Sequence, residues 1–236
     1  EFIKAKVAEQ HYQPPYFRLM ERLNLEGADA APRIMRPRRL GLDDLRESGA
    51  DHLVDVREPL AYAAGHMPGA MCLPVGMIPA FAGWFLGEGD RIALVASEED
   101  QLAHAMAHLV RIGLDNVVGG YVGVVPAAAQ GKAMRSIPMI GTEEVARRLD
   151  QDSCEWTLLD VRDADERQDA SIDGSEHIYV GELNKRWKEL DRDRHYTLMC
   201  ASGMRASVAA GWLASQGFKR LDIYLGSMGA WKNAHG

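Results

Sequence analysis

The chain has 236 residues, 47% of them hydrophobic and 26% charged, a composition of folded globular proteins rather than of disordered or fibrous ones. Its formal net charge of -7 argues against nucleic acid or an anionic membrane as the main partner. No run of about eighteen apolar residues is present and nothing at the start reads as a charged region followed by an apolar one, so a cytoplasmic protein is expected.

The chain opens on Glu1 rather than methionine, so it is expected to be cut from something longer. In "HYQPPYFRLMERLNLEGA" (11–28), Pro14-Pro15 precedes a helical apolar period at Phe17, Met20, Leu23 and Leu25, and "APRIMRPRR" (31–39) reads as a linker. From there the chain repeats itself. "HLVDVREPLAYAAGHMPGAMCLPVGMI" from His52 matches "TLLDVRDADERQDASIDGSEHIYVGEL" from Thr157, with Asp55-Val56-Arg57 opposite Asp160-Val161-Arg162, an offset of 105. "RIALVASEEDQLAHAMAHLVRIGLDNV" from Arg91 matches "HYTLMCASGMRASVAAGWLASQGFKRL" from His195, an offset of 104. Two agreeing offsets describe a duplicated domain, with segment 1–31 ahead of copies at 32–130 and 131–236 and "AAAQGKAMRSIP" as the linker between them.

The second copy shows the element pattern best. "GTEEVARRLDQ" (141–151) predicts a helix with Thr142 as N-cap, "WTLLDV" (156–161) a buried strand, and "GELNKRWKEL" (181–190) a helix. "HYTLM" (195–199) follows as a strand, then "ASVAAGWLASQ" (206–216) as a helix ended by Gly217, and "RLDIYLG" (220–226) as a last strand. Strands separated by helices imply an α/β fold, each copy a mainly parallel sheet with helices on both faces. Ligands of such sheets bind at the carboxyl ends of the strands, where Cys200 falls.

The three cysteines, Cys72, Cys154 and Cys200, are odd in number and lack CxxC spacing, which speaks against a disulfide framework and a thiolate zinc site. Cys200 stands apart because Ala201, Ser202, Gly203, Met204 and Arg205 follow it. A loop of small residues, with Gly203 free to take positive φ, can turn successive N–H groups toward the Cys200 sulfur, and these donors with the following helix favour a nucleophilic thiolate. Arg205 adds a cation at the rim that suits an anionic donor. Cys72 reads as a packing group and Cys154 as a surface thiol. His104 and His108 have the i, i+4 spacing of zinc ligands, but "HAMAH" lacks the glutamate and a third ligand, so no metal is expected.

"CASGMR", the "DVR" that ends the first strand and "LGSMGAW" (225–231) together resemble rhodanese-like sulfurtransferases, and the duplication resembles a tandem rhodanese. The resemblance implies that Cys200 is the nucleophile that takes a sulfane sulfur from thiosulfate or a persulfide and passes it to a thiol or cyanide acceptor. It makes Ala201, Ser202, Gly203, Met204 and Arg205 the substrate-binding cradle and calls for no cofactor. Related phosphatases and arsenate reductases place five residues between cysteine and arginine; the four found here suit a single sulfur atom. In the first copy Ala96 falls opposite Cys200, Glu99 opposite Gly203 and Gln101 opposite Arg205, so that copy is expected to be inactive. The Asp-Val-Arg pairs, present in both copies, are expected to be structural, and neither His66 nor Trp231 catalytic. Residues 1–31 resemble the segment leading from a metallo-β-lactamase-fold domain into rhodanese domains, which implies a fused or partner domain of that kind. The competing reading is a non-catalytic binding or redox-sensing module.

Overall fold

The computed structural model describes residues 2–3, 12–27, 36–151 and 155–235, so the reading of Cys154 and most of the 31–39 linker lie outside the described residues. Helix α1 (Tyr16–Glu26) starts after Pro15, as expected from the proline pair. The face it uses matches the predicted one only in part, with Met20 and Leu23 half-buried. Tyr16 lies against Gly83, and Leu19 and Leu23 against Gly113, whereas Phe17 and Leu25 are exposed.

The first copy contains α2 (Leu42–Glu47), β1 (His52–Asp55), α3 (Pro59–Ala64), β2 (Ala70–Cys72), α4 (Ile78–Phe85), β3 (Ile92–Ala96), α5 (Glu99–Arg111), β4 (Val117–Val122) and α6 (Val124–Ala129). Its strands form a parallel sheet in the order β2-β1-β3-β4. The second copy contains β5 (Met139–Ile140), α7 (Thr142–Asp150), β6 (Trp156–Asp160), α8 (Ala164–Asp169), β7 (Glu176–His177), α9 (Leu183–Arg186), β8 (His195–Met199), α10 (Met204–Ser215), β9 (Leu221–Tyr224) and α11 (Ser227–His235). Its parallel sheet has the order β5-β9-β8-β6-β7. The α/β fold expected from the sequence is therefore observed, with helices covering both faces of each sheet. Central strands such as "IALVA" are apolar throughout because neither face meets water. Asp55 pairs with Val95 and Asp160 with Met199, so the two sheets share one register. Among the described residues no helix is long and apolar enough to cross a membrane.

Tertiary contacts alter three local expectations. Gly141 rather than Thr142 is the N-cap of α7, and the Thr142 hydroxyl instead meets the Tyr224 hydroxyl at 2.8 Å. The predicted helix 181–190 divides into 3-10 turns flanking the short α9. There Gly181 lies flat on the Trp84 indole and the Asn184 amide donates to the Trp84 carbonyl, so contact with the first copy sets the backbone. The predicted linker 127–138 begins inside α6, and its Arg135 exchanges backbone hydrogen bonds with His66.

One hydrophobic core runs through both copies. Helix α10 lies between its own sheet and strand β2 of the first copy, and Ala206 to Leu213 are all buried, which matches its lack of a polar face. Gly211 makes this approach feasible, since a Cβ there would stand 2.4 Å from the Cys72 nitrogen. Phe85 and Trp212 close the seam with ring centroids 4.9 Å apart. Each buried Val, Leu or Trp of this helix contributes about 1.5–3 kcal/mol. The first copy thus covers the helix that springs from the Cys200 loop.

Candidate active site

Strand β8 delivers Cys200 to the carboxyl edge of the second sheet, and α10 begins four residues later, at Met204. Gly203 turns the chain between them with φ 109° and ψ -17°, a conformation closed to other residues without strain. The Gly203 N–H donates to Cys200 Sγ at 3.1 Å, a donor placed to stabilise negative charge on sulfur. Not every loop amide turns inward: the Cys200 N–H donates to Ser227 Oγ at 3.1 Å, and Ser227 Oγ donates to the Tyr224 carbonyl at 2.8 Å. The Met228 and Gly229 N–H groups each donate, at 3.0 Å, to the carbonyls of Cys200 and Ala201. "LGSMGAW" therefore holds the loop from behind, with Ser227 itself at φ 50°. Cys200 is 1% exposed, while Ala201, Ser202 and Met204 are open to solvent.

Arg205 is not a free cation at the rim, as the sequence suggested. Its guanidinium forms a two-pronged ion pair with Glu166 of α8: Nη2 donates to Oε1 at 2.7 Å and Nη1 to Oε2. The Arg205 hydrogen bonds hold the Glu166 carboxyl down to about 2 against the opposing effect of burial, and the pairing raises Arg205 above its ordinary value. Glu166 also completes a capping box. Its N–H donates to Asp163 Oδ1 at 2.8 Å while its own Oε2 accepts from the Asp163 N–H at 3.4 Å. Burial, with the Glu166 carboxylate adding to it, raises Asp163 from its ordinary value. Tyr179, raised by burial and lowered by nearby Arg205, stands beside these charges. Tyr12 stacks on Tyr179 at 4.2 Å, which brings the N-terminal segment to the same rim.

Glu166, Ser227, Tyr179 and Tyr12 were not singled out in the sequence. The D-x-x-E spacing of Asp163 and Glu166 signals a helix start, but no local pattern shows that the carboxylate reaches Arg205.

The Asp-Val-Arg elements are structural in both copies. Arg57 grips Asp55 at 2.8 and 2.6 Å and ties to the Gly65 carbonyl, and Arg162 grips Asp160 likewise and ties to the Glu166 and Ala170 carbonyls. All four residues are buried.

The corresponding loop of the first copy is built differently. Strand β3 ends at Ala96 and α5 is capped by Glu98, one residue sooner than Gly203 follows Cys200, so Glu98 rather than Glu99 stands at the place of Gly203. Gln101 turns back to accept from the Ser97 N–H at 2.9 Å, and Glu99 pairs with Arg39. His66 is buried, stacks on Tyr62 at 4.0 Å and is lowered by desolvation, as a packing group would be. Cys72 is buried beneath α10, where desolvation pushes its thiol well up. His104 and His108 lie on α5, and no metal-holding group of three or more ligands occurs among the described residues. Trp231 stacks on His235 at 4.0 Å and packs on the cluster around Tyr224 and Met228.

A cleft of about 320 Å³ opens beside the loop, lined by Ser202, Met204 and Leu225 of the second copy and by Glu58 and Leu60 of the first. Both copies therefore border this cleft.

The family described as "Rhodanese-like domain" matches residues 41–125 and 142–234. The sulfur carrier protein YrkF of Bacillus subtilis (strain 168) is 36% identical over 96 residues, 41% of this chain and 51% of that protein. The chain thus spans about half the length of that relative. A protein of the same organism described as a sulfurtransferase, YtwF, is 33% identical over 96 residues, 41% of this chain and 91% of the relative. The tRNA sulfurtransferase of Vibrio vulnificus (strain YJ016) is 37% identical over 71 residues, covering 28% of this chain and 15% of that protein. Among solved structures, a rhodanese-related protein from Thermoplasma volcanium is 29% identical, covering 41% of this chain and 92% of that one, with a TM-score of 0.38. With both repeats matched, the chain belongs to the family of rhodanese-like domains and carries that domain twice.

Proposed function

We propose that the chain is a sulfurtransferase in which Cys200 carries the sulfur. The observation that supports this most is the Gly203 N–H directed at Cys200 Sγ, at a strand-to-helix turn with Arg205 one residue into the helix. The Cys200 thiolate attacks the outer sulfur of a donor R–S–SH. The Sγ–S bond forms as the donor's S–S bond breaks, R–S⁻ leaves, and Cys200 holds a persulfide. With thiosulfate the leaving group is sulfite. A thiol or cyanide acceptor then removes the outer sulfur, cyanide departing as thiocyanate, and Cys200 returns as the thiolate. Ala201, Ser202, Gly203, Met204 and Arg205 form the cradle. The first copy, within 32–130, is catalytically silent and serves the second, within 131–236, by burying α10. Reading residues 1–31 as the segment that follows a metallo-β-lactamase-fold domain belongs to the same proposal and rests on resemblance.

Intact mass spectrometry after incubation with thiosulfate or glutathione persulfide tests this directly. The wild-type chain gains one sulfur that cyanide removes, and Cys200→Ser gains none, since the first copy offers no thiol at its loop. Cyanide-removable sulfur gained by Cys200→Ser at the wild-type level, not traced to Cys154 by peptide mass spectrometry, refutes Cys200 as the carrier. No gain in the wild type with either donor points instead to a binding module.

A further inference from the structure

The Arg205–Glu166 pair deepens the sulfurtransferase reading and rests on it. Both terminal nitrogens of Arg205 are engaged by one carboxylate, and the pair is largely shielded, with side chains 19% and 32% exposed. The Arg205 guanidinium, close enough to Cys200 to feel its charge, is thus matched by the Glu166 carboxylate, and Asp163 holds a second carboxyl beside that pair through the capping box. Glu166 is fixed in this place from below. Arg162, locked onto Asp160 of β6, donates to the Glu166 carbonyl at 3.1 Å, and Asp163 holds the Glu166 N–H. In the first copy Ala61 occupies the place of Glu166 in α3, and Asp100, the second residue of α5, that of Arg205, so neither member of the pair is present where the thiol is absent.

We propose that Glu166 is the residue that selects the sulfur donor: by neutralising Arg205 it turns the site away from dianionic thiosulfate and toward persulfides R–S–SH whose carrier group has no charged oxygens beside the transferred sulfur. Thiosulfate places its charged oxygens two bonds from that sulfur, on the side of Arg205, where Glu166 and Asp163 repel them. A persulfide presents a carbon there and brings its charge, if any, farther out.

Glu166→Gln tests this, because glutamine keeps the side-chain length and serves equally in a capping box. Persulfidation of Cys200 is followed by rapid-quench mass spectrometry with thiosulfate and with cysteamine persulfide. The ratio of the thiosulfate to the cysteamine persulfide rate constant rises about ten-fold in Glu166→Gln, and the increase shrinks at high salt. Asp163→Asn, an equally good N-cap, moves the ratio the same way by less. A second arm needs no turnover: in a Cys200→Ser background, calorimetry shows tighter thiosulfate binding when Glu166→Gln is added. An unchanged ratio together with unchanged affinity overturns the proposal, as does an equal loss with both donors, which marks Glu166 as merely structural. If the wild type takes sulfur from neither donor yet Glu166→Gln tightens thiosulfate binding, the sulfurtransferase reading fails while selection against the anion stands.

Discussion

Replacing Gly203 by alanine separates backbone strain from steric clash at the Cys200 loop. A Cβ at Gly203 would meet nothing closer than the Tyr224 carbonyl oxygen at 3.8 Å and the Gly226 nitrogen at 3.9 Å, so no neighbour has to move. The cost is conformational: φ of 109° lies beyond the left-handed helical region, and holding alanine there costs about 1–3 kcal/mol. The chain can escape only by rotating the Gly203 peptide, which withdraws the N–H from Cys200 Sγ and loses a hydrogen bond worth about 0.5–1.5 kcal/mol. Thermal unfolding should therefore shift down by about 2–4 °C for each kcal/mol, and persulfidation of Cys200 should slow at the same time. Gly217→Ala is the control, since Gly217 ends α10 at φ 93° without a clash and away from the loop. It should lose similar stability and keep its persulfidation rate. If Gly203→Ala matches the wild type in both melting temperature and persulfidation, Gly203 does not hold a positive-φ turn and its N–H does not support Cys200.

Gly211→Ala probes the seam between the copies. Its Cβ would approach the Cys72 nitrogen to 2.4 Å, so α10 must move off β2, and a net loss of about 1–3 kcal/mol is expected in denaturant unfolding despite alanine's better helix propensity; an unchanged midpoint would show that the copies do not pack through α10. The acid limb of stability reports on Glu166. Its carboxyl is held at about 2 in the folded chain against 4.5 ordinarily, so its contribution is present above about pH 4.5 and is lost as pH falls toward about 2. Asp163, raised by burial, works in the opposite sense, so the reading is the difference between wild type and Glu166→Gln, which should narrow as the pH is lowered through that window. A constant difference across the window would mean that the pair adds nothing to folding.

Local physics made the architecture legible. Alternating apolar runs and turn residues marked β6 and β8, and the repeat at offsets of 104 and 105 appears in the structure as a shared register in which Asp55 faces Val95 and Asp160 faces Met199. Cys200 at the end of β8, Gly203 at positive φ and the start of α10 next to it followed from residue types within six positions of one another. Long-range pairing could not be read this way. Glu166 reaches Arg205 from 39 residues away, and Ser227 holds the Cys200 amide from 27. Gly211 meets Cys72 across the seam, and Trp84 breaks the helix expected over 181–190. Periodicity and turn chemistry report which face of an element is apolar and where it stops. Which charge meets which depends on how helices and loops from separate parts of the chain pack over the edge of a sheet, and that is decided by contacts between elements distant in sequence.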